Sequence, residues 1–273
     1  NGLPTATGQV FEKGVGIKEC LEALKADWDE ARKRADQYNT KANGSGLRKG
    51  VGIGSCWYGC GNTSLPNPST VRMGVRTDGT IVLHQGAMDI GQGANTVITQ
   101  IAADGLGARD TDLTPDCGKT SASRQTYVTG KAAMLSGQAL RKTILRNANV
   151  SDEASLNFGD GTINVQESGT TTTIDLAKLD TNKFGYVFMS EETYDPPTKA
   201  LDEKGQGIPY AVYGYGAQMM ELTVDTKLGT VQLDRIVTAH DVGKAINPLL
   251  VEGQIEGGVA QGIGLALMED YML

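Results

Sequence analysis

The residues best suited to chemistry lie in Asp89-Ile90-Gly91-Gln92-Gly93-Ala94-Asn95, where the pattern predicts a strand end, a glycine turn and a helix start. Glycines on both sides of a glutamine leave backbone N–H groups bare at a helix N-terminus, and the positive end of the helix dipole favours an anion there. Gly-x-Gly before a helix also serves where a strand merely turns under a packed helix, so one occurrence decides nothing. A second stretch, Asp116-Cys117-Gly118-Lys119-Thr120-Ser121-Ala122-Ser123-Arg124-Gln125, precedes a long predicted helix from about Tyr127 to Arg146. Its hydroxyls suit either helix capping or contact with oxygens of a ligand. A third helix is predicted to open near Glu252-Gly253-Gln254 and to run to about Tyr271, after Asp241-Val242-Gly243.

These helix starts imply the elements that must hold them. Ile17-Lys18-Glu19-Cys20-Leu21-Glu22-Ala23-Leu24 opens an amphipathic helix through Trp28 to about Tyr38, and Val51 to Cys56 reads as a buried strand with glycines at a close backbone approach. Thr70 to Arg76 and Ile81 to His84 are strands joined at Asp78-Gly79, and the helix from about Asn95 to Leu106 sets Val97, Ile101 and Leu106 on one face before Gly107 stops it. Residues 151–179 read as an inserted hairpin turning at Asp160-Gly161, followed by a short helix near Leu176, and 180–207 as a connection with little regular structure. Gln218 to Val224 and Val231 to Val237 repeat the strand-turn-strand pattern, so Asp89-Ile90-Gly91 and Asp241-Val242-Gly243 hold equivalent places in two copies. The fold class expected is α+β: two related lobes of mixed sheet with helices on one face. The expected segments are 1–47 (linker and helix), 48–150 (first repeat), 151–207 (insertion and connection) and 208–273 (second repeat, truncated).

Composition narrows the function. A net charge of −7 and 21% charged residues argue against a nucleic-acid surface, and no apolar run is long enough to span a bilayer. Cys20, Cys56, Cys60 and Cys117, with His84 and His240, lack the spacing of a zinc site. No signal peptide is read, so free thiols in the cytoplasm are expected. Cys117 sits in a motif loop and is the thiol expected nearest a ligand. No Gly-x-Ser-x-Gly elbow supports a hydrolase. His240 beside Asp241 suggests an acid–base pair, but neighbours on a strand face opposite sides, which favours a structural role.

The stretches 84–107, 114–130 (ending Ser-Arg-Gln-Thr-Tyr-Val-Thr-Gly) and 240–264 (Asp-Val-Gly-Lys-Ala-Ile-Asn-Pro through Glu-Gly-Gln-Ile-Glu-Gly-Gly), in this order, resemble the molybdenum hydroxylases. The part resembled is the later half of the molybdopterin-binding subunit in the xanthine dehydrogenase and aldehyde oxidoreductase group. The resemblance implies a molybdenum cofactor held as molybdopterin, in bacteria often as its cytosine dinucleotide. It also implies hydroxylation of an aldehyde or N-heterocycle carbon with oxygen from water. The partners implied are the remainder of the molybdenum subunit, an iron–sulfur subunit or domain and a flavin subunit, with neither nucleic acid nor membrane. Gly91, Gln92 and Gly93 are implied to touch the cofactor, Ser121, Ala122 and Ser123 to line the pterin, and Gln254 to hydrogen-bond it.

The motifs hold little Lys or Arg, so neutral capture by backbone N–H groups, hydroxyls and amides is the chemistry expected. The plain alternatives stay open: Gln92 and Gln254 as helix caps or loop braces, Ser121 and Ser123 as N-caps. The resemblance further implies a catalytic glutamate in a Gly-Glu motif beyond Leu273, so the chain is expected to be a fragment or a split piece, inactive in isolation. A non-catalytic scaffold is the second function expected.

Overall fold

The computed structural model describes residues 2–12, 14–42, 44–61, 68–108, 112–113 (backbone only) and 120–270. Its elements begin with α1 (Ile17–Lys41), β1 (Leu47–Cys60), β2 (Ser69–Val75), β3 (Ile81–His84), α2 (Ala94–Leu106), β4 (Asp112–Leu113) and α3 (Gln125–Ala148). There follow β5 (Ser155–Gly159), β6 (Thr162–Glu167), β7 (Thr170–Asp175), a 3-10 turn (Leu176–Lys178), β8 (Phe188–Tyr194), β9 (Val212–Asp225), β10 (Thr230–Asp241) and α4 (Pro248–Leu267). They form two compact units, 1–60 with 198–244 and 61–197 with 245–273. The class is α+β.

In the first unit the antiparallel sheet β1-β9-β10 carries α1 on one face. Cys20, Leu24, Ala31 and Ala35 make the buried helix stripe, and Cys20, Leu24 and Ala31 pack with Tyr215, Ala217 and Met219 of β9. Alternation along β9 puts those three side chains on the helix side. Charges along the rim tie helix to sheet: Arg34 reaches Glu221 at 2.8 Å and Arg235 reaches Asp27 at 2.6 Å. β1 is not the buried strand expected. Most of it is exposed, and a Cβ placed on Gly52 or Gly54 would meet nothing within 4 Å. Only farther along does a glycine serve close approach: a Cβ on Gly59 would lie 2.2 Å from the Tyr210 ring.

The second unit holds the sheet β4-β3-β2-β8, where β3 and β4 run parallel with α2 as the crossover between them. Parallel neighbours need such a crossover, whereas β2 and β3 join by the short turn at Asp78-Gly79. β8 lies in the segment expected to be irregular. Its residues Glu191 and Glu192 hide it from a hydrophobicity reading, although Phe188 and Ser190 are buried and its full length pairs with β2. The expected hairpin at 151–179 gains a third strand, β7, whose four successive threonines carry no apolar alternation.

Ala94, Ile98, Ala102 and Leu106 form the buried face of α2: Leu106 lies on it as expected, whereas Val97 and Ile101 are only half-buried beside it. Small residues on α3 allow that register: a Cβ on Gly137 would lie 2.6 Å from the Ala102 carbonyl oxygen, and one on Gly105 2.6 Å from that of Met134. The two backbones therefore touch. Ile101 meets Gly130, Gly105 meets Met134 and Gly107 meets Arg141, so the helices advance in the same direction and present both N-termini at one end of the unit.

Candidate functional site

That shared end carries the loops singled out from sequence. Gly93 precedes α2 in the left-handed region (φ 77°) and Gly91 also has positive φ (112°). Only glycine adopts such angles without a Cβ penalty. The N–H groups of this turn are not bare, as expected from the motif, because Asp89 turns back onto them. Its carboxylate accepts from Gly91 N–H at 2.9 Å, Gly93 N–H at 3.2 Å and Asn95 N–H at 3.0 Å. The Asn95, Gly91 and Gly93 amides hold the Asp89 carboxyl below the usual carboxylate range, with Asn95 the largest cause. The protein thus supplies its own anion to the start of α2, and the site is built for neutral contacts.

Gln92 braces the same turn. Its Nε2 donates to the Met88 carbonyl at 2.7 Å and its Oε1 accepts from Ile90 N–H at 2.7 Å. A primary amide has two donors and two lone pairs, so one of each remains beyond these bonds. Met88 and Ile90 stay largely exposed, at 66% and 92%.

The loop before α3 is fixed differently. Ala122 (φ 56°) and Ser123 (φ 54°) are both left-handed without being glycine, which costs about 1–2 kcal/mol each. Arg124 is the N-cap and α3 begins at Gln125 with no side-chain cap, so neither Ser121 nor Ser123 plays the capping role. Ser121 and Ser123 are exposed. Ala122 lends its carbonyl to Gly61 N–H at 2.7 Å.

The third motif opens four residues earlier than expected. Asn247 caps α4 by accepting the Leu250 N–H at 3.2 Å, and Pro248 takes the first helical position, where its missing N–H has no helical partner to lose. Gln254 therefore sits exposed in the second turn rather than at the opening. The first turn of α4 packs on the Gly91-Gly93 loop: a Cβ on Gly93 would lie 2.6 Å from Leu250 Cδ1, and Asn247 Nδ2 is 3.4 Å from Gln100 Oε1. The Gly91-Gly93 loop, the Ser121-Ser123 loop and α4 belong to the second unit, where their helix starts are tied together, whereas 240–244 of the third stretch lie in the first unit.

Two buried amides inside the motif stretches, neither of them among the expected contacts, support these loops. Gln85, 3% exposed, accepts from Ala87 N–H at 2.6 Å and donates to Asn95 Oδ1 at 2.9 Å. Gln125, 6% exposed, donates to Thr120 Oγ1 at 3.0 Å and accepts from the Thr129 hydroxyl. Tyr127, in the first turn of α3, meets Tyr194 hydroxyl to hydroxyl at 3.1 Å, and burial with that bond pushes its phenol up to about 12.

His240 and Asp241 lie in the first unit and face apart. His240 lies over Gly216 with Nε2 3.5 Å from Gln218 Nε2, and burial pushes its imidazole down, toward the neutral form. Asp241 sits against Gly16 at the start of α1 and accepts from Gly243 N–H at 2.9 Å. Cys20, Cys56 and Cys60 are free thiols, and Cys117 lies outside the described residues. Among the described residues no group of three His, Cys, Asp or Glu is placed to hold a metal ion, and no helix is long and apolar enough to cross a membrane.

Comparison with known proteins gives the geometry its setting. Residues 22–273 match the family described as the molybdopterin cofactor-binding domain. The putative xanthine dehydrogenase molybdenum-binding subunit XdhA of Escherichia coli (strain K12) is 32% identical, over 94% of this chain and 35% of that protein. Aldehyde oxidoreductase of Megalodesulfovibrio gigas is 30% identical, over 99% of this chain and 28% of that one. The crystal structure of aldehyde oxidoreductase from Desulfovibrio desulfuricans superposes with a TM-score of 0.77 at 28% identity, covering 99% of this chain and 28% of that chain. The chain spans about a third of the length of these relatives.

Proposed function

The chain belongs to the molybdopterin cofactor-binding domain family, and on that premise we propose that its second unit forms one wall of a molybdenum cofactor site in a hydroxylase of the xanthine dehydrogenase and aldehyde oxidoreductase kind. The observation that carries this is the gathering of the Gly91-Gly93 loop, the Ser121-Ser123 loop and the first turn of α4 at one end of the unit. Gly91, Gln92 and Gly93 would meet the pterin with backbone and amide groups, Ser121, Ala122 and Ser123 would line it, and Gln254 would add a hydrogen bond from α4.

The residues fit a flat, polar ligand. Gln92 keeps a spare donor and a spare acceptor, and Asp89 repels an anion from α2, so a neutral pterin edge suits α2 better than a phosphate. When bound, the cofactor supplies two-electron oxidation of an aldehyde or heterocycle carbon with oxygen from water. The cytosine dinucleotide form, an iron–sulfur and a flavin partner, and a cytoplasmic site of action complete the proposal. So does the organisation of 48–150 and 208–273 as related repeats, each with a strand hairpin followed by a helix. Turnover on this reading draws its general base from subunit sequence outside this chain, so the isolated chain is inactive.

The inward bonding of the Gln92 amide favours a second reading, a scaffold without cofactor contact. Substitution of Gln92 and Gln254 by Ala in the cofactor-bearing protein separates the two. Loss of molybdenum and pterin from the purified variants, with melting temperature retained, is the outcome expected. Full retention in both variants, or a wild type that never carries pterin, leaves the scaffold.

A further inference from the structure

Thr120 stands where the two candidate cofactor loops meet, and neither motif includes it as a contact. Its Oγ1 accepts the Met88 N–H at 2.8 Å from the loop leading into α2, and the Gln125 Nε2 at 3.0 Å from the first turn of α3. From Gln125 the hydrogen bonds run inward. The Thr129 hydroxyl donates to Gln125 Oε1, and Thr129 Oγ1 lies 2.8 Å from Ser69 Oγ at the start of β2. Gln125, Thr129 and Ser69 are 6%, 0% and 1% exposed, whereas Thr120 is exposed, so the chain of bonds leads from the sheet to the surface between the loops.

A threonine hydroxyl has two lone pairs and one proton. Met88 and Gln125 take both lone pairs, which leaves Thr120 able to act only as a donor. We infer that Thr120 is a positioning residue for the cofactor: it fixes the spacing between the Met88-Gly93 loop and the start of α3 and, backed by buried Gln125, turns a single O–H donor outward toward an acceptor on the ligand. This rests on the cofactor reading above. Main-chain contacts cannot be re-aimed by rotamer changes, so a site that binds through them depends on how its loops are spaced.

The test uses the holoprotein and three variants. Thr120→Val keeps the shape and deletes the hydroxyl, Thr120→Ser keeps the hydroxyl, and Ser136→Ala removes the buried Ser136-Ser190 bond on the same helix away from the loops. The readouts are pterin and molybdenum per protein, the release rate of pterin followed by fluorescence, the visible circular dichroism of the bound group, and melting temperature. Thr120→Val is expected to release pterin roughly tenfold faster with an altered dichroism band, the scale of one lost hydrogen bond. Thr120→Ser is expected to restore both, and Ser136→Ala to lower only the melting temperature. Release from Thr120→Val at the wild-type rate, or equal acceleration by Ser136→Ala, overturns the inference while the cofactor reading stands. A wild type without pterin overturns both.

Discussion

Replacing Gly137 by Ala probes the contact that brings the helix starts together. The added Cβ would lie 2.6 Å from Ala102 O, 2.8 Å from Leu106 N and 3.0 Å from Gly105 C, all of them backbone atoms that no rotamer change can move. Restoring ordinary contact requires α2 and α3 to part by about 1 Å, enough to forfeit a quarter to a half of each dispersion contact across the interface. Overpacking of this kind costs about 3 kcal/mol, and better helix propensity returns about 1, for a net loss of about 2 kcal/mol. In a unit of this size each kcal/mol moves the midpoint by about 2–4 °C, so a fall of roughly 4–8 °C is expected in a melt followed by circular dichroism. Gly257→Ala is the matched control. It is also a glycine inside a helix, but its Cβ would meet nothing within 4 Å, so propensity alone acts and the midpoint is expected to rise by about 2–4 °C. A Gly137→Ala midpoint at or above wild type would refute the backbone contact between α2 and α3.

Asp89→Ala removes the acceptor for three N–H groups at the start of α2 and is expected to cost about 1 kcal/mol in denaturant unfolding, as lost N-caps do. Because the folded carboxyl is depressed, its contribution is complete above the unfolded value near pH 4 and fades as pH falls through the lower folded value. Asp89→Asn should therefore flatten the acid limb of the stability curve, and an unchanged limb would count against the cap. In alkaline difference spectra Tyr127 is expected to ionise near pH 12, about two units above a free phenol, and Tyr127→Phe should delete that last step. Stability from this group is present below about pH 10 and declines as pH rises toward 12.

How far the sequence could be read depended on whether one element sufficed to show the pattern. The Asp78-Gly79 hairpin, the Gly107 stop and the span of α1 follow from local chemistry, and all appear as expected. β8 and β7 did not announce themselves, because charged and threonine-rich strands owe their place to pairing partners far along the chain. The buried face of α2 includes Leu106 as expected but otherwise runs through Ala94, Ile98 and Ala102 rather than Val97 and Ile101, because the α2 backbone from Ala102 to Leu106 lies against Gly137 of α3, a contact that the sequence of one helix does not show. At the site, the Gly-x-Gly motif locates the turn, yet the carboxylate that fills it comes from Asp89 two residues before the first glycine, a backward bond that residue types alone do not reveal. The amides that brace the loops, Gln85 and Gln125, are visible as types in the sequence, but their burial depends on tertiary packing.

The interrupted first unit bears on the order in which the chain can assemble. β1 must find β9 across roughly 150 intervening residues, a long loop to close before any pairing offsets it. The inserted segment carries its own remedy, since β2 and β8 pair from Ser69 against Tyr194 and so bring its entry and exit side by side. Once that pairing is made, the span separating β1 from β9 shrinks to about 25 residues, which lowers the closure cost by about 1.5 kcal/mol. During synthesis β1 must wait, unpaired and largely apolar, until the insertion has closed behind it, which makes that strand the segment most in need of protection from other nascent chains.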